Sequence, residues 1–147
     1  MRPPNLPTDY LDAMYRHWDD AELLWGQVPR RFANADQLYG LAAECGLKAI
    51  MTKFVNNFFD HSLGMPSNRD DRVHIDGTWN RYRIYSQGGV APRYALPPID
   101  NPFVQWQIAD RYANQGNFRY ARVREHRSGC LAIKKLVDQA KAQRHLP

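Results

Sequence analysis

Between Asn34 and Phe54 the chain is apolar around nearly the whole circumference of a helix, and such a segment has to be covered on most sides. Leu38, Leu41, Ala42, Cys45 and Ala49 form one stripe at three- and four-residue spacing, while Tyr39, Leu47, Ile50 and Phe54 make most of the other side apolar too. A helix starting near Asn34 or Asp36 and running to about Phe54 is therefore expected at the centre of the fold. Glu44 and Lys48 stand four apart on it. Exposed, such a pair adds only about 0.2–0.5 kcal/mol; buried, each member needs a partner.

The neighbours that would cover this helix carry their own periodicity. After Pro3, Pro4 and Pro7, Thr8 is placed to cap a helix in which Leu11, Met14, Tyr15, Trp18, Ala21, Leu24 and Trp25 recur on one face. It ends near Gly26 and Pro29, with Asp12, Arg16, Asp19, Asp20 and Glu22 toward solvent. A last long helix runs from about Phe118 to Gln143, with Val123, Cys130, Ile133, Leu136, Val137 and Ala140 as its stripe; the tail from Arg144 to Pro147 is expected to fray. A shorter helix is expected after Asn101, with Pro102 at its first position, through Phe103, Trp106, Ile108 and Ala109 to Arg111 and Tyr112. Glycines and prolines loosen the pattern from Asn56 to Pro98: residues 72–86 read as helix or strand, and Gln87–Pro98 as loop. The expectation is one all-α domain over residues 1–147, a bundle of about five helices with an irregular segment near 56–98.

A domain of 147 residues buries roughly 70% of its unfolded surface, and 44% apolar with 24% charged residues is a globular rather than a disordered composition. No apolar run approaches the ~20 residues of a membrane span, and MRPPNLPTDY has no signal-peptide core, so no membrane partner and a cytoplasmic location are expected. Cys45 and Cys130 read as small buried hydrophobes. Five histidines without zinc-site spacing, and the lack of a P-loop, a GxGxxG or a nucleophile elbow, predict neither metal nor cofactor. Asp19-Asp20 and Asp70-Asp71 read as solvent charges. The net charge of +5 favours contact with polyanions.

Chemistry concentrates in the last helix. Stepping back from Cys130, Ile133 and Val137 by helical intervals reaches His126; Arg122 precedes it by four and Arg119 by seven, so at ~100° per residue all three share one face. Either these side chains meet a cleft, an interface or carboxylates, or the imidazole is satisfied by a neighbour while the arginines reach outward to water. An Arg that grips phosphate beside an imidazole that exchanges protons near neutral pH suits RNA cleavage.

The stretch Ala33-Asn34-Ala35-Asp36-Gln37-Leu38-Tyr39-Gly40-Leu41-Ala42-Ala43-Glu44-Cys45-Gly46-Leu47-Lys48-Ala49 resembles the corresponding helix of the HEPN superfamily, where an Ala-rich run leads into a Glu and a Leu-Lys-Ala step. Asp110-Arg111-Tyr112 before the last helix is similar to an Arg-Tyr step in many members. The resemblance implies a helical bundle, often a homodimer, and in many members a metal-independent ribonuclease of toxin–antitoxin or phage-defence systems. It implies that Arg119 holds a phosphate and His126 assists attack by the 2′-hydroxyl or protonates the leaving oxygen, leaving a cyclic phosphate, with Arg111, Arg122 and Tyr112 binding substrate. The signature of such members is an Arg followed, after four to six intervening residues, by a His, and Arg119 and His126, with six residues between them, match its outer limit. Tyr120 stands where a polar residue usually follows that Arg, and Ser128 where one toxin branch has Tyr. RNA and an antitoxin-like protein are the implied partners. The alternatives are a non-catalytic module of this architecture that binds a protein or nucleotide, and a basic DNA- or RNA-binding regulator.

Overall fold

The apolar segment does occupy the axis: in the computed structural model, which describes residues 5–88 and 92–147, it forms α2 (Phe32–Phe54). Against it pack α1 (Tyr10–Trp25), α3 (Ile75–Gln87) and α4 (Tyr120–Ala142). Four α-helices thus stand among the described residues, not five. A two-residue antiparallel pair, β1 (Phe59–Asp60) with β2 (Met65–Pro66), bends the chain between α2 and α3. The core is continuous, from Met14 and Trp18 of α1 through Tyr39, Leu47 and Ile50 of α2 to Ile133 and Val137 of α4. No helix of the described residues is long and apolar enough to cross a membrane.

The helix expected over 102–112 is broken. Asn101 does cap, its Oδ1 accepting from Phe103 N at 2.9 Å, but the chain makes a single turn and then extends at Gln107. The reason is tertiary. Gln107 offers its carbonyl to Gln37 Nε2 of α2 at 3.0 Å and forms a capping box with Asp110 that starts a short 3-10 helix, Ile108–Tyr112. Phe103 and Trp106 are fully buried as a wedge between the long helices. Their seats are glycines: a Cβ at Gly129 of α4 would fall 2.6 Å from Pro102 Cγ, and one at Gly40 of α2 would overlap the Trp106 indole.

Other expectations shift in detail. Residues 75–87 resolve as helix rather than strand. The cap of α1 is Asp9, which accepts from Asp12 N, rather than Thr8, whose hydroxyl donates to Gly64 O at 2.8 Å. Asp71 is not a solvent charge: it is buried, accepting from Arg81 Nε at 2.7 Å and from the Tyr85 hydroxyl at 2.6 Å. The loop expected over Gln87–Pro98 lies outside the described residues at 89–91 and includes a 3-10 turn at Pro92–Tyr94. The tail does not fray. Arg144, at φ 61°, closes α4 with Arg144 N bonded to Lys141 O and His145 N to Ala140 O, a Schellman arrangement that buries Leu146. The Tyr94 hydroxyl donates to Gln143 Oε1 at 2.6 Å and accepts from His145 Nδ1. Cys130 is buried and Cys45 partly so, and burial pushes the Cys45 thiol up to about 12.

Candidate functional site

A polar stripe runs along the central helix. Asp36, Gly40, Glu44 and Lys48 follow one another at four-residue intervals, so they lie on one face, and all are buried. A charged residue on a buried face has to be satisfied by side chains arriving from elsewhere. Asp36, with no exposed surface, accepts from His126 Nδ1 at 2.6 Å and from Arg122 Nε at 3.4 Å, and its backbone carbonyl accepts from Trp106 Nε1 at 3.0 Å. Arg122 also donates to Asp110 Oδ2 at 2.7 Å and Gln105 O at 3.2 Å. His126 is 1% exposed, and its ring lies nearly parallel to Phe103, 17° between planes and 5.4 Å between centroids.

The five residues singled out in the sequence therefore separate. His126 and Arg122 meet, as their spacing predicts, but at Asp36. Arg119 does not join them: it is the N-cap residue, with ψ 153°, one position before α4 begins, and its side chain is exposed. The short 3-10 helix Gln115–Asn117 and the extended, buried Phe118 delay the start of α4 and take Arg119 out of register. Arg111 and Tyr112 are exposed beside each other, with the guanidinium 4.9 Å from the ring centroid. The residues that sequence reasoning passed over are Asp36, Asp110, Phe103 and Trp106. Their one legible signal was an acid four residues before a glycine and eight before Glu44 on a helix otherwise apolar all round.

A second arrangement surrounds the start of α4. Tyr120 stacks on Trp25 at 5.4 Å and 28°, and Phe32 closes the group at 6.3 Å from Tyr120. The Arg30 guanidinium sits 4.6 Å from the Trp25 ring and 5.3 Å from that of Tyr120, while Arg127 grips Glu22 through two bonds of 2.7 and 3.0 Å. The end of α1, the beginning of α2 and the beginning of α4 thus share one end of the bundle. The 102–112 segment joins them there through Gln37 and Arg122. Arg30, Arg31, Arg111 and Arg119 are all exposed at this end, and among the described residues none has a carboxylate within 4.0 Å. Tyr112, 79% exposed, adds an open ring.

At the other end of the stripe, Glu44 accepts from His74 Nδ1 and from Lys48 Nζ, each at 2.9 Å, and Lys48 also reaches Val73 O. The hydrogen bond to Glu44 raises the His74 pKa above its ordinary 6.5. Burial pushes the Glu44 carboxyl upward, but the His74 bond and the Lys48 charge outweigh it and hold the carboxyl below its ordinary 4.5. A raised His contributes stability that is complete below its unfolded pKa and lost as pH climbs through the folded one; a lowered Glu contributes stability that is complete above its unfolded pKa and lost as pH falls. Both contributions are full between 4.5 and 6.5. His17, lowered by burial, acts in the opposite sense as pH rises, so the comparison is with His74→Asn. From about pH 6 to about pH 8 the wild type should lose stability relative to that variant, by under about 1 kcal/mol because His74 is half exposed. Urea titrations whose difference stays constant across that range would remove the linkage.

Among the described residues no three His, Cys, Asp or Glu side chains converge on a metal position. Comparison with protein-family models, with curated proteins and with solved structures finds no match to the chain.

Proposed function

We propose that the protein is a HEPN-like helical module that binds RNA at its arginine- and aromatic-rich end and does not cleave it. The observation that carries this reading is the separation of the two candidate groups: Arg119 is exposed and open to a phosphate, whereas His126 is 1% exposed, bonded to Asp36 and stacked on Phe103. A sealed imidazole does not reach a 2′-hydroxyl. The exposed end, by contrast, combines what an RNA chain needs. Arg30, Arg31, Arg111 and Arg119 present guanidiniums without carboxylate partners to the backbone, and Tyr112 offers an open ring to a base. The resemblance of the α2 sequence and of Asp110-Arg111-Tyr112 to HEPN proteins supports the same architecture.

Anisotropy of a labelled single-stranded RNA in excess chelator tests this. Four phosphate contacts predict an affinity about 50-fold weaker at 200 mM than at 50 mM salt, and each Arg→Ala change at these positions should reduce the slope of log K on log salt by about 0.7. The RNA should remain intact. Salt-insensitive binding, or no binding, would remove the proposal. Chelator-resistant cleavage abolished by a folded His126 variant would restore the catalytic role implied by the family resemblance.

A further inference from the structure

A groove of about 600 Å³ opens where α1, α2, β1 and the segment after α4 meet, lined by none of the residues assigned above to RNA binding. Its floor is apolar: Leu11 and Tyr15 of α1, Ala49 of α2, Phe59 of β1 and Leu146. That volume is in the range of sites that enclose one small molecule. Cations stand at its rim. Lys53 at the end of α2 and Lys141 at the end of α4 are exposed, and among the described residues neither has a carboxylate within 4.0 Å. The Lys141 ammonium lies 4.6 Å from the centroid of the Tyr15 ring that lines the groove. Two side-chain carboxylates also line the groove, but each has a partner: Asp9 caps α1 by accepting from Asp12 N, and Asp12 lies 3.7 Å from Arg16. His61 completes the rim, its ring 5.0 Å from Phe59.

We propose that this groove binds a small amphipathic anion, with the apolar body on the floor and a single carboxylate or phosphate head between Lys53 and Lys141. A neutral amphiphile would gain the floor and forgo the rim, and a cationic one would meet the two ammoniums. The assignment is independent of the RNA reading, since it uses the opposite ends of α1, α2 and α4.

Titration calorimetry of the full chain with decanoate, decyl phosphate and decanol tests it, each kept below its aggregation limit. Decanoate or decyl phosphate should bind saturably with one site, and whichever binds more tightly identifies the head group. Decanol should bind about tenfold more weakly or worse, the order expected for the loss of charge contacts at a half-exposed rim. The double variant Lys53→Ala/Lys141→Ala changes only exposed side chains and should reduce anion affinity by a similar factor while leaving decanol binding unchanged. Absence of saturable anion binding, equal binding of decanol, or an unchanged affinity in the double variant would each overturn the proposal.

Discussion

Replacing Gly40 by Ala should destabilise the protein by roughly 3 kcal/mol, the reverse of the ~1 kcal/mol gain that this exchange brings in an open helix. The new methyl would fall 2.6 Å from Cζ2 of Trp106 and nearer still to Cε2 and Nε1. The indole cannot yield locally, because it is fully buried and its Nε1 donates to Asp36 O. Overpacking of this severity costs about 1–3 kcal/mol, and expelling the ring forfeits the burial of a large aromatic, about 3–5 kcal/mol. For a chain of this size the expected loss lowers Tm by about 6–12 °C. A double-mutant cycle isolates the cause. In a Trp106→Ala background the space is free, so Gly40→Ala should become neutral or stabilising. Equal effects in both backgrounds would mean that the notch is not what holds the indole.

The second large effect is expected at His126. His126→Ala removes the shortest hydrogen bond to Asp36 and leaves a fully buried carboxylate with Arg122 Nε, at 3.4 Å, as its remaining side-chain partner. Breaking one side of a buried polar pair of this kind costs about 3–5 kcal/mol, and the lost stacking on Phe103 adds to it. His126→Asn can still donate an N–H to Asp36 and should recover part of the loss. Urea unfolding of the three proteins reads this directly. A His126→Ala protein within about 1 kcal/mol of wild type would show that the imidazole is not structural, and its RNA cleavage and binding would then decide between the two functional readings.

The parts of the fold that were legible in the sequence are those where one helix carries its own instructions. The stripes of α1, α2 and α4 repeat over four turns or more, and their ends fall within a few residues of expectation. His126 was placed on the core face by the same spacing. What stayed hidden depends on partners distant in sequence. Asn101, Pro102, Phe103 and Trp106 carry the signals of a helix start, yet Gln37 and Gly40, more than sixty positions earlier, set where that turn ends. Asp71 reads as a surface acid until α3 brings Arg81 and Tyr85 to it. The tail from Arg144 reads as free until Tyr94 ties down Gln143 and His145. Arg119 departs from expectation for a local reason: α4 starts at Tyr120, and at the extended N-cap position the helical step that would align Arg119 with Arg122 and His126 no longer applies.

The wedge formed by Pro102, Phe103 and Trp106 inverts the usual rank of a connecting segment. Connections ordinarily run over the surface and accept insertions, cleavage and new termini. This one is held in a notch on each of the two longest helices, so it cannot leave before α2 and α4 part. The molecule accordingly has two kinds of seam. The turn between α1 and α2, with Gln27, Val28 and Pro29 exposed, is a place where the chain could be cut or lengthened with the bundle intact. The stretch from Asn101 to Gln107, although almost devoid of regular structure, belongs to the same cooperative unit as the helices it separates in sequence.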